Sequence, residues 1–134
     1  MKLRHAGHSL FFVAIAILLF AANVSWAQSN NAPKKRLRSP ATVRGFIGGE
    51  SQDRYVIRAR KGTTMTVLIS WRKEEDNTAG FSVSPAAPPD AEVLAGRESD
   101  HGKRWTGKIP RTGDYVISVT AHPSAHYKLR VTVR

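Results

Sequence analysis

The side chains best equipped for chemistry are three histidines, His101, His122 and His126, and the carboxylates Glu74, Glu75, Asp76 and Asp100. Imidazoles combined with a carboxylate can hold zinc or copper. His122 and His126 flank a short loop, so they could face one another across a hairpin, with Asp100 and His101 nearby. The His-x-x-x-His spacing cannot act as a helical ligand pair, because Pro123 interrupts any helix. Exposed histidines without a metal are the commoner arrangement, and no metal or other cofactor is assigned. Serine, histidine and aspartate are all present, yet no Gly-x-Ser-x-Gly or other nucleophile signature occurs. The Glu74-Glu75-Asp76 run reads as solvated loop charge rather than an acid–base pair. The expectation is a binding protein and not an enzyme.

The elements that must carry these residues have a period of two. In Asp53–Lys61, Tyr55, Ile57 and Ala59 fall on one face; in Thr63–Trp71, Met65, Val67, Ile69 and Trp71 do the same. Tyr115, Ile117, Val119 and Ala121 share a face, and so do Tyr127, Leu129, Val131 and Val133. Side chains two apart on a strand point the same way, so each segment offers one apolar face to a core. Shorter candidate strands are Val43–Gly48, Phe81–Ser84, Glu92–Ala95 and Lys103–Ile109, separated by Gly- and Pro-bearing turns. No amphipathic helix is visible. About eight short strands predict an all-β fold, an antiparallel β-sandwich, over residues 42–134. At core-facing parity, Tyr55, Trp105, Tyr115 and Tyr127 read as packing residues.

Two segments precede that domain. Lys2 and Arg4 stand before an unbroken apolar run of 13 residues, Leu10–Ala22, and Ser25-Trp26-Ala27 offers small residues at a cleavage site. This is the pattern of a secretory signal peptide over residues 1–27. The run is too short to cross roughly 30 Å of hydrocarbon, so the mature form is expected not to span a membrane. Export, to the periplasm or as a secreted protein, follows. Cleavage would leave 107 of the 134 residues, with 19 basic residues against 10 acids. No cysteine is present, so no disulfide can staple the fold. Residues 28–41 carry Lys34, Lys35, Arg36 and Arg38 between Pro33 and Pro40 and read as a disordered basic linker. Such a segment could tether electrostatically to an anionic surface. Nucleic acid is not expected as a partner: the aromatics lie at core parity, and binding would need them exposed among the cations.

If each connection reverses direction, alternate loops gather at one end of the sandwich. That end would collect Gly49–Gln52, Arg72–Ala79, Gly96–Gly102 and His122–Ser124, leaving Lys61-Gly62, Pro85–Asp90 and Pro110–Gly113 at the other. Seven of the ten acids hold or border the first end: Glu50, Asp53, Glu74, Glu75, Asp76, Glu98 and Asp100. So do His101, His122 and His126. Long polar loops on a rigid scaffold are where binding sites concentrate.

Several segments carry a family resemblance. The run Val43-Arg44-Gly45-Phe46-Ile47-Gly48-Gly49 and the run Asp53–Thr63 resemble the start of bacterial periplasmic inhibitors of g-type lysozyme. Trp105-Thr106-Gly107-Lys108-Ile109-Pro110-Arg111-Thr112-Gly113-Asp114-Tyr115 is similar to that family's Trp-x-Gly-x-Ile/Leu-Pro-x-Ser/Thr-Gly-Asp/Lys-Tyr segment, and Tyr127-Lys128-Leu129-Arg130-Val131 to its closing strand. The resemblance spans about residues 43 to 133. The bacterial pre-peptidase C-terminal domain shares the same order of elements. Inhibitors of i-type lysozyme carry a Ser-Gly-x-x-Tyr loop, but Thr112-Gly113-Asp114-Tyr115 has one spacer too few to match it. The resemblance implies an exported β-sandwich whose loops block a lysozyme cleft. Lysozymes are generally cationic, so the acidic end would be the face presented. The contacts expected are Glu74, Asp76, Arg97, Asp100, His101, His122 and His126, with an Arg or Lys reaching the lysozyme's catalytic carboxylate. The alternative is an accessory module that binds an envelope glycan or another cell-envelope component.

Overall fold

The computed structural model describes residues 34–96 and 103–134. The expected signal peptide and the first part of the basic linker lie outside the described residues.

Eight strands form: β1 (Lys34–Leu37), β2 (Ala41–Gly48), β3 (Asp53–Ala59), β4 (Thr64–Trp71), β5 (Thr78–Pro85), β6 (Arg104–Lys108), β7 (Gly113–His122) and β8 (Ser124–Val133). They make two four-stranded sheets, ordered β1-β3-β7-β5 and β2-β8-β4-β6. Odd-numbered strands belong to the first and even-numbered strands to the second, so every connection crosses between sheets. The β1–β3 pair is parallel and the other pairs are antiparallel. The all-β sandwich expected from the two-residue period is the fold observed, and no helix among the described residues is long and apolar enough to cross a membrane.

The period of two places the core. Tyr55, Ile57, Phe81, Val83, Tyr115, Ile117 and Val119 of the first sheet meet Ile47, Met65, Val67, Ile69, Tyr127, Leu129 and Val131 of the second in one buried cluster. Apolar side chains from both inner faces supply the driving force for stacking the sheets. Three of the four aromatic residues at core parity, Tyr55, Tyr115 and Tyr127, are buried, and Trp105 packs on the cluster's edge.

The motif residues have identifiable structural tasks. The Tyr115 hydroxyl donates to the carbonyl of Arg111 at 2.6 Å, closing the Pro110–Gly113 turn as a tyrosine corner does. A Cβ on Gly107 would strike the Trp105 ring, so the Trp-x-Gly spacing seats the indole over a bare backbone. Gly45 plays the same part opposite Tyr127, where a Cβ would lie 2.6 Å from the phenol oxygen. With that room, Tyr127 donates to Asp53 and accepts from Tyr55, fastening β8 to β3 across the two sheets.

Two sequence expectations are corrected. Residues 34–37, expected to be disordered, pair with β3 in the register Lys34↔Arg54 to Leu37↔Ile57. Leu37 enters the core, and the Arg36 guanidinium grips both oxygens of Asp114 at 3.0 and 3.2 Å. A local hydropathy pattern cannot register a strand held by one leucine and a distant carboxylate. Conversely, Glu92–Ala95 is no full strand; it makes a single antiparallel bridge, Ala95↔Val83. Val93 is exposed, so the segment offers too little apolar surface for a longer ladder.

Candidate functional site

The loop end forms as the alternation of connections requires. Gly49 N–H donates to the carbonyl of Pro123 at 3.0 Å, and Arg72 N–H to that of His126 at 3.0 Å. The Gly49–Gln52 turn, the 72–77 loop and the 122–124 tip are thereby knitted together. At the opposite end, Gly62 N–H donates to Ile109 and Lys61 N–H to the Thr112 hydroxyl. The Ala95–Val83 bridge shows that the chain after β5 runs back antiparallel to that strand. Glu92–Ala95 therefore reverses the chain without being a strand, and the parity survives.

Asn77 organises the acidic loop. Among the described residues it is the buried polar side chain. Its Oδ1 accepts from Glu74 N–H at 2.9 Å, while Nδ2 donates to the carbonyls of Arg72 at 3.0 Å and Ser124 at 3.3 Å. Glu75 takes a left-handed backbone conformation at φ 45°, uncommon for a residue with a side chain. One amide thus holds Glu74, Glu75 and Asp76 in an exposed turn against Pro123 and Ser124, which line a shallow groove with them. The Glu-Glu-Asp-Asn run was a turn signal, since Asn bonds readily to nearby backbone; its role as the loop's buried anchor was not read from it.

The residues expected to make contacts divide into three groups. Glu74 and Asp76 stand exposed at the loop end, with Glu74 3.2 Å from Arg72. His122 and His126 are also exposed, but they do not face one another across a hairpin, which is a correction. The 122–124 tip links β7 of one sheet to β8 of the other, so His122 points from the outer face of the first sheet and His126 from that of the second. The His126 ring lies 4.6 Å from that of Phe46, tilted by 44°. Arg97, Asp100 and His101 lie outside the described residues. Among those described, no group of three or more His, Asp or Glu could hold a metal.

Asp53, counted with the acidic end, has an internal task instead as the acceptor for Tyr127. Burial, with help from Asp53 and Tyr55, holds the Tyr127 phenol protonated far above its ordinary range, and burial also raises that of Tyr55. These hydroxyls brace the sandwich beneath the loops.

A second feature escaped the sequence reading. Beside the acidic loop runs a basic groove lined by Arg44, Ser70, Trp71, Arg72, His126 and Lys128. Lys103 stands 5.2 Å over the Trp71 ring, a cation–π arrangement. These residues come from β2, β4 and the loop after it, β8 and the chain before β6, and no local motif joins them.

The described chain is a two-sheet β-sandwich with an acidic loop turn at one end and a basic groove next to it. No protein-family model matches it, and no curated protein matches it in sequence. Solved structures do match in fold. The periplasmic lysozyme inhibitor of g-type lysozyme from Aeromonas hydrophila superposes with a TM-score of 0.61 at 23% identity, covering 75% of this chain and 96% of that one. Its counterpart from Salmonella Typhimurium gives 0.55 at 19% identity, covering 75% and 97%. The pre-peptidase C-terminal domain of a Bacillus anthracis collagenase gives 0.56 at 18% identity, covering 74% and 94%. The chain shares the fold of both groups, which are the two that the sequence motifs resemble.

Proposed function

We propose that this protein is an exported, non-enzymatic inhibitor of lysozyme, acting in the periplasm or after secretion, with g-type enzymes as its target. The observation that carries the reading is agreement between a likeness in sequence motifs and a likeness in fold. The residues of 43–133 resemble g-type lysozyme inhibitors, and almost the whole length of such inhibitors superposes on this chain.

Inhibition would follow from occlusion. The exposed turn Glu74–Asp76, held by Asn77, enters or rims the substrate cleft and keeps peptidoglycan from the catalytic acid. A cationic lysozyme is drawn to that carboxylate cluster even though the chain is basic as a whole, because the local field governs the final approach. Arg97, Asp100 and His101 would extend the contact, with His122 and His126 flanking it.

The test is lysis of peptidoglycan by g-, i- and c-type lysozymes with residues 28–134 in excess. Selective protection against the g-type enzyme is expected. Replacing Glu74 and Glu75 by Gln and Asp76 by Asn should weaken inhibition and flatten its dependence on salt. Unchanged inhibition would remove this turn from the contact. No protection against any class would defeat the inhibitor reading and favour an accessory binding module, for which the shared fold with the collagenase domain is the support.

A further inference from the structure

Outward-pointing side chains on the β2-β8-β4-β6 sheet form a basic face. Arg44 stands directly opposite Lys128, and Arg130 lies between Thr42 and Leu68, with Arg104 beyond Leu68. Lys108 stands opposite Thr64. None of the outward positions on these four strands is acidic, and the ion pairs among the described residues involve none of these five cations. Like charges placed directly across a ladder destabilise it, so Arg44 beside Lys128 is a cost that the fold does not require.

Apolar side chains stand among the cations. Three large hydrophobic residues are exposed in the described chain, and two of them lie here: Phe46 at 58% and Leu68 at 36%. From the usual strand spacing and rise, the face measures roughly 15 by 25 Å, broad enough to meet several lipid headgroups at once. Single-stranded nucleic acid would call for a series of exposed aromatic platforms, whereas Phe46 is packed on His126 and the neighbouring Trp71 is partly buried against the core with Lys103 over its ring. An acidic glycan would engage the cations but would gain little from Leu68.

We propose that this sheet face docks on an anionic membrane, with phosphate headgroups meeting Arg44, Lys128, Arg130 and Arg104 while Phe46 and Leu68 enter the interface. The contact is peripheral: cations near an anionic leaflet supply the attraction, and the two apolar side chains add a part that salt does not screen. The acidic turn Glu74–Asp76 lies at the end of the sandwich, off this face, and stays free for a soluble partner. The inference does not depend on what that partner is.

The test uses residues 28–134, which contain all eight strands, and sedimentation with vesicles of phosphatidylcholine alone or mixed with phosphatidylglycerol. Binding to the mixed vesicles only is expected. Each cation near the surface is worth about fivefold in partitioning, so R44A/K128A/R130A together should weaken binding on the order of a hundredfold. Phe46→Ser should mainly lower the fraction that survives high salt. Cooperative urea unfolding of each variant confirms that the fold is kept. Equal binding to both vesicle types would overturn the proposal, as would wild-type binding by the triple variant. Loss of binding only when Lys34, Lys35 and Arg36 are replaced would overturn it too, as would retention of a polyanionic polysaccharide or DNA without retention of vesicles.

Discussion

The two outer faces of this sandwich handle positive charge in opposite ways. On the β1-β3-β7-β5 sheet, Arg36 and Arg58 converge on Asp114, at 3.0 and 3.7 Å, and Val56 and Val116 pair beside them, buried. On the β2-β8-β4-β6 sheet, five cations stand without a carboxylate partner among the described residues, around two exposed apolar side chains. Both faces grow from the same alternation of strands over the same core. On the first face Asp114 offsets part of the charge and holds an edge strand in place. The second keeps its charge available, and a charge kept at some expense to the sheet is a charge with an external use.

The largest effect that bears on this comparison is in the shared core. Ile117 is fully buried beneath the first sheet. Ile117→Ala should lower the unfolding free energy by about 2–5 kcal/mol, read by urea denaturation. Amide exchange should accelerate in β2 and β8 as much as in β3 and β7. Faster exchange in the first sheet alone would mean that the faces rest on separately melting layers.

Next comes the tie between the sheets. Tyr127→Phe leaves Asp53 and the Tyr55 hydroxyl short of a buried partner and should cost roughly 1–3 kcal/mol near neutral pH. The pH dependence has a definite sign. The folded protein holds the Tyr127 proton well above the ordinary phenol value of 10.0, while the unfolded chain releases it near that pH. Wild-type stability is therefore full below about pH 10 and falls as pH rises above it. The Phe variant should show a shallower alkaline fall, Tyr55 supplying what remains. Identical alkaline profiles would exclude Tyr127 as the titrating group.

The faces themselves should respond to charge removal with opposite sign. Arg44→Thr relieves repulsion with Lys128 and should stabilise by roughly 0.2–1 kcal/mol, detectable as a rise in Tm. Destabilisation would show that Arg44 serves the fold. On the other face, Asp114→Asn should destabilise slightly and loosen β1, seen in amide exchange over Lys34–Leu37. Hydrogen bonding from Arg36 holds the Asp114 carboxyl below its ordinary 3.8. Its contribution is complete above that pH and lost as pH falls through the lowered value, so the Asn variant should lack this part of the acid transition. This is the smallest effect of the set, because the pair is exposed to solvent.

Much of the architecture was legible before any coordinates. The apolar alternation in 53–61, 63–71, 115–121 and 127–133 marked strands and their buried sides, and Tyr55, Tyr115 and Tyr127 were recognisable as core. The gathering of Gly49–Gln52, the 72–77 loop and the 122–124 tip followed from counting reversals. β1 was missed because its pairing depends on Arg36 meeting Asp114, 78 positions away. Glu92–Ala95 reads as a strand because four residues of mixed polarity satisfy a short pattern without a ladder. The histidine pair was misjudged because sequence proximity suggested a hairpin where the chain changes sheets.

By itself, then, the sequence determined which residues of the long strands extend, which side of each is buried, and where the chain turns between them, since all three follow from neighbours two to four residues apart. Tertiary structure alone decided which sheet each strand joins. Outward side chains repeat every second residue whatever that sheet is, so nothing local distinguishes a cation that will meet Asp114 from one that will not. Arg44, Lys128, Arg130 and Arg104 become neighbours only because β2, β8, β4 and β6 lie side by side, and the ladders that place them there join segments up to about 90 residues apart.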